Sequence, residues 1–146
     1  MKRFKTVAIY STYSEKRIEE IANHCGEVLS NLDVEVLLTE NLEGLAVSKN
    51  YKVCNERAII RKADLIISIG GDGTLLGCAR KYGLKGLPLL GINLGNVGFL
   101  ADLVPGDITF QLKEIIQGKY IADRRFMLEA SVNDFKESNF ALNEVV

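Results

Sequence analysis

No apolar run in this chain approaches the roughly 20 residues that a membrane-crossing helix requires. Stretches such as Val7-Ala8-Ile9-Tyr10 and Leu65-Ile66-Ile67 are strand-sized, so no membrane partner is expected. Charge of one sign is lacking as well. With a formal net charge of -1, no basic field exists to attract nucleic acid, and no such partner is expected. His24 is the only histidine and sits beside Cys25 in a helical stretch. With no second imidazole, it reads as structural or exposed rather than as a metal ligand. Cys25, Cys54 and Cys78 are odd in number and widely spaced. They fit reduced thiols packed as small hydrophobes, and no protein-held metal is expected. The basic start Met1-Lys2-Arg3-Phe4-Lys5 is not followed by a signal-peptide apolar region, so the expected location is cytoplasmic. Two nucleotide-binding loops are missing too. A dinucleotide-binding G-x-G-x-x-G should follow the first strand, where this chain has Ser11-Thr12-Tyr13-Ser14, and no G-x-x-x-x-G-K-[S/T] occurs.

What is present is an ordinary globular composition, 47% hydrophobic and 25% charged over 146 residues. A chain of this size buries roughly 70% of its unfolded surface on folding. Residues 5–10 read as a buried strand. Residues 14–30 carry Ile18, Ile21, Ala22, Cys25, Val28 and Leu29 at helical spacing, with Ser14 as the expected N-cap. Val34 to Leu38 reads as a strand, residues 55–62 as a short helix, and Leu65 to Ile69 as a strand buried on both faces. Thr74 to Tyr82 reads as a helix and Leu87 to Ile92 as a strand. Asp107 to Gln117 reads as a helix closed by Gly118. Alternating strands and helices imply βαβ units and a mostly parallel sheet with helices on both faces.

After Gly118 the pattern changes. Residues 119–133 read as one extended segment, Asp134 to Ser138 as a turn, and Phe140 to Val146 as a further strand. These look like the opening strands of an antiparallel region. A last strand ending on Glu144-Val145-Val146 would lack a partner, so the chain is expected to be a fragment of a longer protein. The expected division is 1–118 for the α/β part and 119–146 for the start of a truncated β-rich part.

In parallel sheets, ligands bind beyond the carboxyl ends of the strands, and two glycine turns fall there. The first is Gly70-Gly71-Asp72-Gly73-Thr74. Glycines let a backbone approach a ligand closely, and consecutive N–H groups at a helix start suit phosphate. A carboxylate placed in such a turn repels phosphate, so Asp72 needs another purpose: accepting a hydroxyl proton or binding a metal ion, both of which occur in phosphoryl transfer. The plainer alternative is a tight strand-to-helix turn with Asp72 as its N-cap. The second turn is Gly91-Ile92-Asn93-Leu94-Gly95-Asn96-Val97-Gly98-Phe99-Leu100-Ala101-Asp102. Its Phe99 would either wall an adenine pocket or fill core.

These two turns, followed by Arg124-Arg125-Phe126-Met127-Leu128-Glu129-Ala130 and Leu142-Asn143-Glu144-Val145, resemble the bacterial NAD kinases (the ATP-NAD kinase family) in their N-terminal part. The resemblance runs from the first strand to the last residue. It implies a Rossmann-like α/β fold followed by the first strands of an incomplete β-rich second domain. It also implies transfer of the ATP γ-phosphoryl group to the 2′-hydroxyl of the adenosine ribose of NAD, giving NADP. Asp72 matches the proton acceptor for that hydroxyl, and Asp72 with Gly73 matches NAD-contacting positions. Gly71 and Thr74 complete the same turn. Asn143 and Glu144 match a motif that holds the dinucleotide's adenosine and ribose groups, and Phe99 and Leu100 match an adenine pocket. Magnesium or another divalent cation is expected to travel with ATP. The full-length protein is expected to be a homo-oligomer, and the fragment to be inactive alone. Position 77 is glycine, so no basic side chain there assists with phosphate. Two alternatives stay open at this point: a non-catalytic nucleotide-binding module, and a diacylglycerol or sugar kinase that shares only the Gly70–Thr74 turn.

Overall fold

The computed structural model describes residues 3–95, 103–131 and 138–142. Its centre is a five-stranded sheet of β1 (Thr6–Tyr10), β2 (Glu35–Thr39), β3 (Lys52–Cys54), β4 (Leu65–Gly70) and β5 (Leu89–Asn93), in the order β3-β2-β1-β4-β5. Every pairing is parallel. The chain builds outward from β1 to β3, then returns to β1's other edge with β4. The order therefore reverses between β1 and β4, and a crevice opens there at the carboxyl ends.

Strand parity sorts the core. Val7, Ile9, Val36, Leu38, Ile67 and Ile69 face the layer made by α1 (Lys16–Ser30) and α4 (Ile108–Ile116). Ala8, Leu37 and Ile66 face α2 (Glu56–Lys62) and α3 (Asp72–Tyr82), which contribute Ile59, Cys78 and Tyr82. All six residues of β4 are buried, as a strand covered on both faces requires. Helix α1 buries the expected stripe of Ile18, Ile21, Ala22, Cys25, Val28 and Leu29, together with Gly26.

Several sequence expectations are refined. The residue at the start of α1 is Glu15, not Ser14, and its side chain makes no capping bond. Helix α2 is capped by Asn55, whose side chain accepts from the Ala58 N–H at 2.9 Å. Strand β3 was not expected at all. The long extended segment narrows to β6 (Met127–Ser131), which pairs antiparallel with β7 (Ser138–Leu142) in a separate two-stranded sheet. The last strand thus begins earlier than Phe140. Most of the expected turn at 134–138, and residues 143–146, lie outside the described residues. Gly118, at φ 90°, closes α4 as expected.

Candidate active site

The Gly70–Thr74 turn sits at the β1/β4 crevice, held in place by contacts distant in sequence. Ser11, fully buried, donates its hydroxyl to the Ile69 carbonyl at 2.8 Å. The same Ser11 Oγ accepts from the Tyr13 N–H at 3.4 Å. The Thr12 and Thr74 hydroxyls lie 3.1 Å apart. On the other side, the Leu94 N–H donates to the Gly70 carbonyl at 2.9 Å, and the Gly95 N–H donates to Asn93 Oδ1 at 3.0 Å. Three loops, following β1, β4 and β5, are thereby fastened around one cleft.

The three glycines of the turn have different reasons to exist. A Cβ on Gly70 would fall 2.7 Å from the Thr74 Cβ, so packing within the chain requires glycine there. Beyond its chain neighbours and the adjoining helix backbone, a Cβ on Gly71 or on Gly73 would meet no described atom within 4 Å. Neither has the positive φ that would demand glycine. Gly71 suits the N-cap position that begins α3, while among the described residues no contact or backbone angle accounts for Gly73.

Gly71 is the N-cap of α3, with Asp72 as the first helical residue. The plainer reading of Asp72 as the capping residue is thereby removed, because the capping position belongs to a residue without a side chain. The first intrahelical bond is from the Leu75 N–H to the Gly71 carbonyl at 3.1 Å. The N–H groups of Gly73 and Thr74 precede it and have no partner within the helix. Oriented peptide dipoles add a partial positive charge at this end. A phosphate placed here meets N–H donors and positive potential, and Asp72 stands half-buried at the same edge.

The cleft encloses about 420 Å³ and is lined by Tyr13, Glu15, Ile18, Gly70, Gly71, Asp72, Thr74 and the Asn93–Gly95 turn. Of the residues expected from sequence, Gly71, Asp72 and Thr74 line it, and Gly73 is exposed in the same turn. Phe99, Leu100, Asn143 and Glu144 lie outside the described residues. The loop after β1 was missed as a contributor. Its signal was topological, since a switch point draws on the loops of both strands that flank it. Gly77 does not face the cleft as a vacancy: a Cβ there would approach the Tyr10 hydroxyl at 3.4 Å. Among the described residues, no group of three or more His, Cys, Asp or Glu side chains gathers to hold a metal ion. No described helix is long and apolar enough to cross a membrane.

The model of the ATP-NAD kinase N-terminal domain matches residues 7–120. The chain belongs to the NAD kinase family. Among curated NAD kinases, that of Ectopseudomonas mendocina is 30% identical across 100% of this chain, and that of Natranaerobius thermophilus is 35% identical across 97%. In both cases the chain spans 50% of the relative's length. A crystal structure of yeast NADH kinase complexed with NADH superposes with a TM-score of 0.77 at 21% identity, over 97% of this chain and 47% of that one. At that identity the likeness speaks for the fold. Membership of the NAD kinases places the Gly70–Thr74 turn in a family of phosphotransferases, and the alternative of a lipid or sugar kinase sharing that turn alone falls away.

Proposed function

We propose that this chain supplies the phosphate-handling half of an enzyme that transfers the ATP γ-phosphoryl group to the 2′-hydroxyl of the adenosine ribose of NAD. The observation that carries this reading is the open backbone at Gly71 and Gly73, beside a half-buried carboxylate at a helix N-terminus. Phosphate on the turn is held by N–H groups and the helix dipole. Asp72 then accepts the proton of the attacking hydroxyl. A ribose hydroxyl is a weak nucleophile at neutral pH, and phosphoryl transfer depends on alignment and charge neutralisation. A positioned base contributes about 10²–10⁴-fold, or roughly 3–5 kcal/mol of barrier. The divalent cation, magnesium or an equivalent, neutralises phosphate charge when bound, and we assign it to the nucleotide rather than to a cage of side chains.

The remaining assignments rest on family resemblance. Asp72 and Gly73 contact NAD, Phe99 and Leu100 line its adenine pocket, and Asn143 and Glu144 hold its adenosine and ribose groups. Residues 1–118 form the α/β unit, and 119–146 begin a β-rich unit. The whole protein is a cytoplasmic homo-oligomer. The rest of the NAD site belongs to the portion of the relatives' length that this chain does not span, so the chain alone is expected to be inactive. An NADP-forming assay on the full-length protein tests the activity. Asp72→Asn is expected to lower kcat by about 10²-fold or more while leaving NAD affinity within a few-fold. Near-normal turnover in that variant overturns the general-base role. Calorimetry of the 146-residue chain with ATP and NAD tests for a surviving partial site.

A further inference from the structure

Tyr13 is 62% exposed, yet it lines the same cleft as the Gly70–Thr74 turn. Its place comes from its backbone rather than from burial of its ring. Ser11 ties the loop to β4 through the Ile69 carbonyl and also accepts from the Tyr13 N–H. Thr12 ties the loop to α3 through Thr74. An aromatic side chain is therefore presented to solvent from a loop stitched at successive residues to the phosphate turn. Ile18 and Leu94 line the same cleft together with the carboxylates of Glu15 and Asp72, so carbon surface and polar groups meet in it. That mixture suits a nucleotide, which has a charged phosphate end and a flat π-faced base.

Resting on the functional reading above, we propose that Tyr13 is the stacking platform for the base of a nucleotide whose phosphates lie on the Gly70–Thr74 turn. The ring offers a large rigid face with few rotatable bonds, and aromatic–base stacking tolerates any heteroaromatic ring. Both adenine and nicotinamide meet that description, so the chemistry is shared and the source is decided by experiment. Tyr13 acts here by binding and positioning, without a role in proton transfer.

The test uses calorimetry on the full chain with ATP, NAD and inorganic tripolyphosphate, in the parent and in the Tyr13→Ala and Tyr13→Phe variants. Tyr13→Ala is expected to weaken ATP or NAD by about tenfold or more and to leave tripolyphosphate unchanged. Tyr13→Phe, which keeps the ring face, is expected to restore the parent affinity. A loss confined to ATP assigns the platform to the donor, and one confined to NAD assigns it to the acceptor. Equal loss for tripolyphosphate and nucleotide, or no loss for either nucleotide, overturns the stacking role alone. Failure of the parent to bind tripolyphosphate or either nucleotide overturns the phosphate reading of the turn, and this inference with it.

Discussion

Replacing Gly73 with alanine separates what the fold needs from what a ligand needs. Gly73 is the second residue of α3, and beyond its chain neighbours and the helix backbone a Cβ there meets no described atom within 4 Å. Alanine is favoured over glycine in a helix by up to about 1 kcal/mol, and it also restricts the unfolded chain. Gly73→Ala should therefore stabilise the protein by about 0.5–1 kcal/mol, raising Tm by roughly 1–4 °C for a domain of this size. Helical Cβ atoms tilt toward the N-terminus, so the new methyl leans into the space assigned to phosphate. Affinity for ATP or tripolyphosphate should fall at least tenfold, about 1.4 kcal/mol. Gly70→Ala is the internal contrast. Its Cβ would lie 2.7 Å from the Thr74 Cβ, and overpacking of that kind costs about 1–3 kcal/mol. Thermal melts and calorimetry on both variants decide the matter. A lower Tm for Gly73→Ala would refute the claim that its space is open, and unchanged phosphate affinity would refute the claim that the open backbone is a cradle.

Two further outcomes concern the body of the fold. A Cβ on Gly26 in α1 would come within 2.5 Å of the Tyr51 ring, so Gly26→Ala should cost about 1–2 kcal/mol; a double-mutant cycle with Tyr51→Ala should recover most of that loss, and simple additivity would disprove the contact. Burial pushes the Cys25 and Cys78 thiols up from 9.0 to about 12. Unfolded thiols ionise near the ordinary value while the folded ones stay protonated. Stability held below pH 9 is thus lost as pH rises toward 12, by up to about 1.4 kcal/mol per pH unit for each thiol. Urea midpoints measured across that range check it, and a flat profile contradicts it. The same burial should keep both thiols unreactive to alkylation until the chain unfolds.

Much of the fold was legible because β4 is a continuous apolar run and α1 repeats at helical spacing, both local signals. Strand β3 was missed because it has only three residues, with Lys52 exposed at the sheet's edge and Cys54 buried. No alternation can establish itself over so short a span. The N-cap at Ser14 was expected from residue type, but the helix begins one residue later, at a position without a capping side chain. In the cleft, Gly70–Thr74 announced itself because three glycines fall within four residues. Tyr13 could not, since its loop reaches the turn only after β1 has paired with β4, through bonds joining residues 58 and 62 positions apart. A side chain's function is invisible locally when the partner that gives it meaning is supplied by topology.

The stitching of the β1 loop has a thermodynamic consequence for binding. Because the Ser11–Ile69 and Thr12–Thr74 bonds exist within the protein's own structure, the described walls of the cleft already stand in place before a nucleotide arrives. Less of the intrinsic affinity is then surrendered to ordering these two loops than if they were free. The ordering entropy of these loops is likewise settled at folding rather than at association. Under the functional reading above, the loops after β1 and β4 contribute a preorganised part of the site.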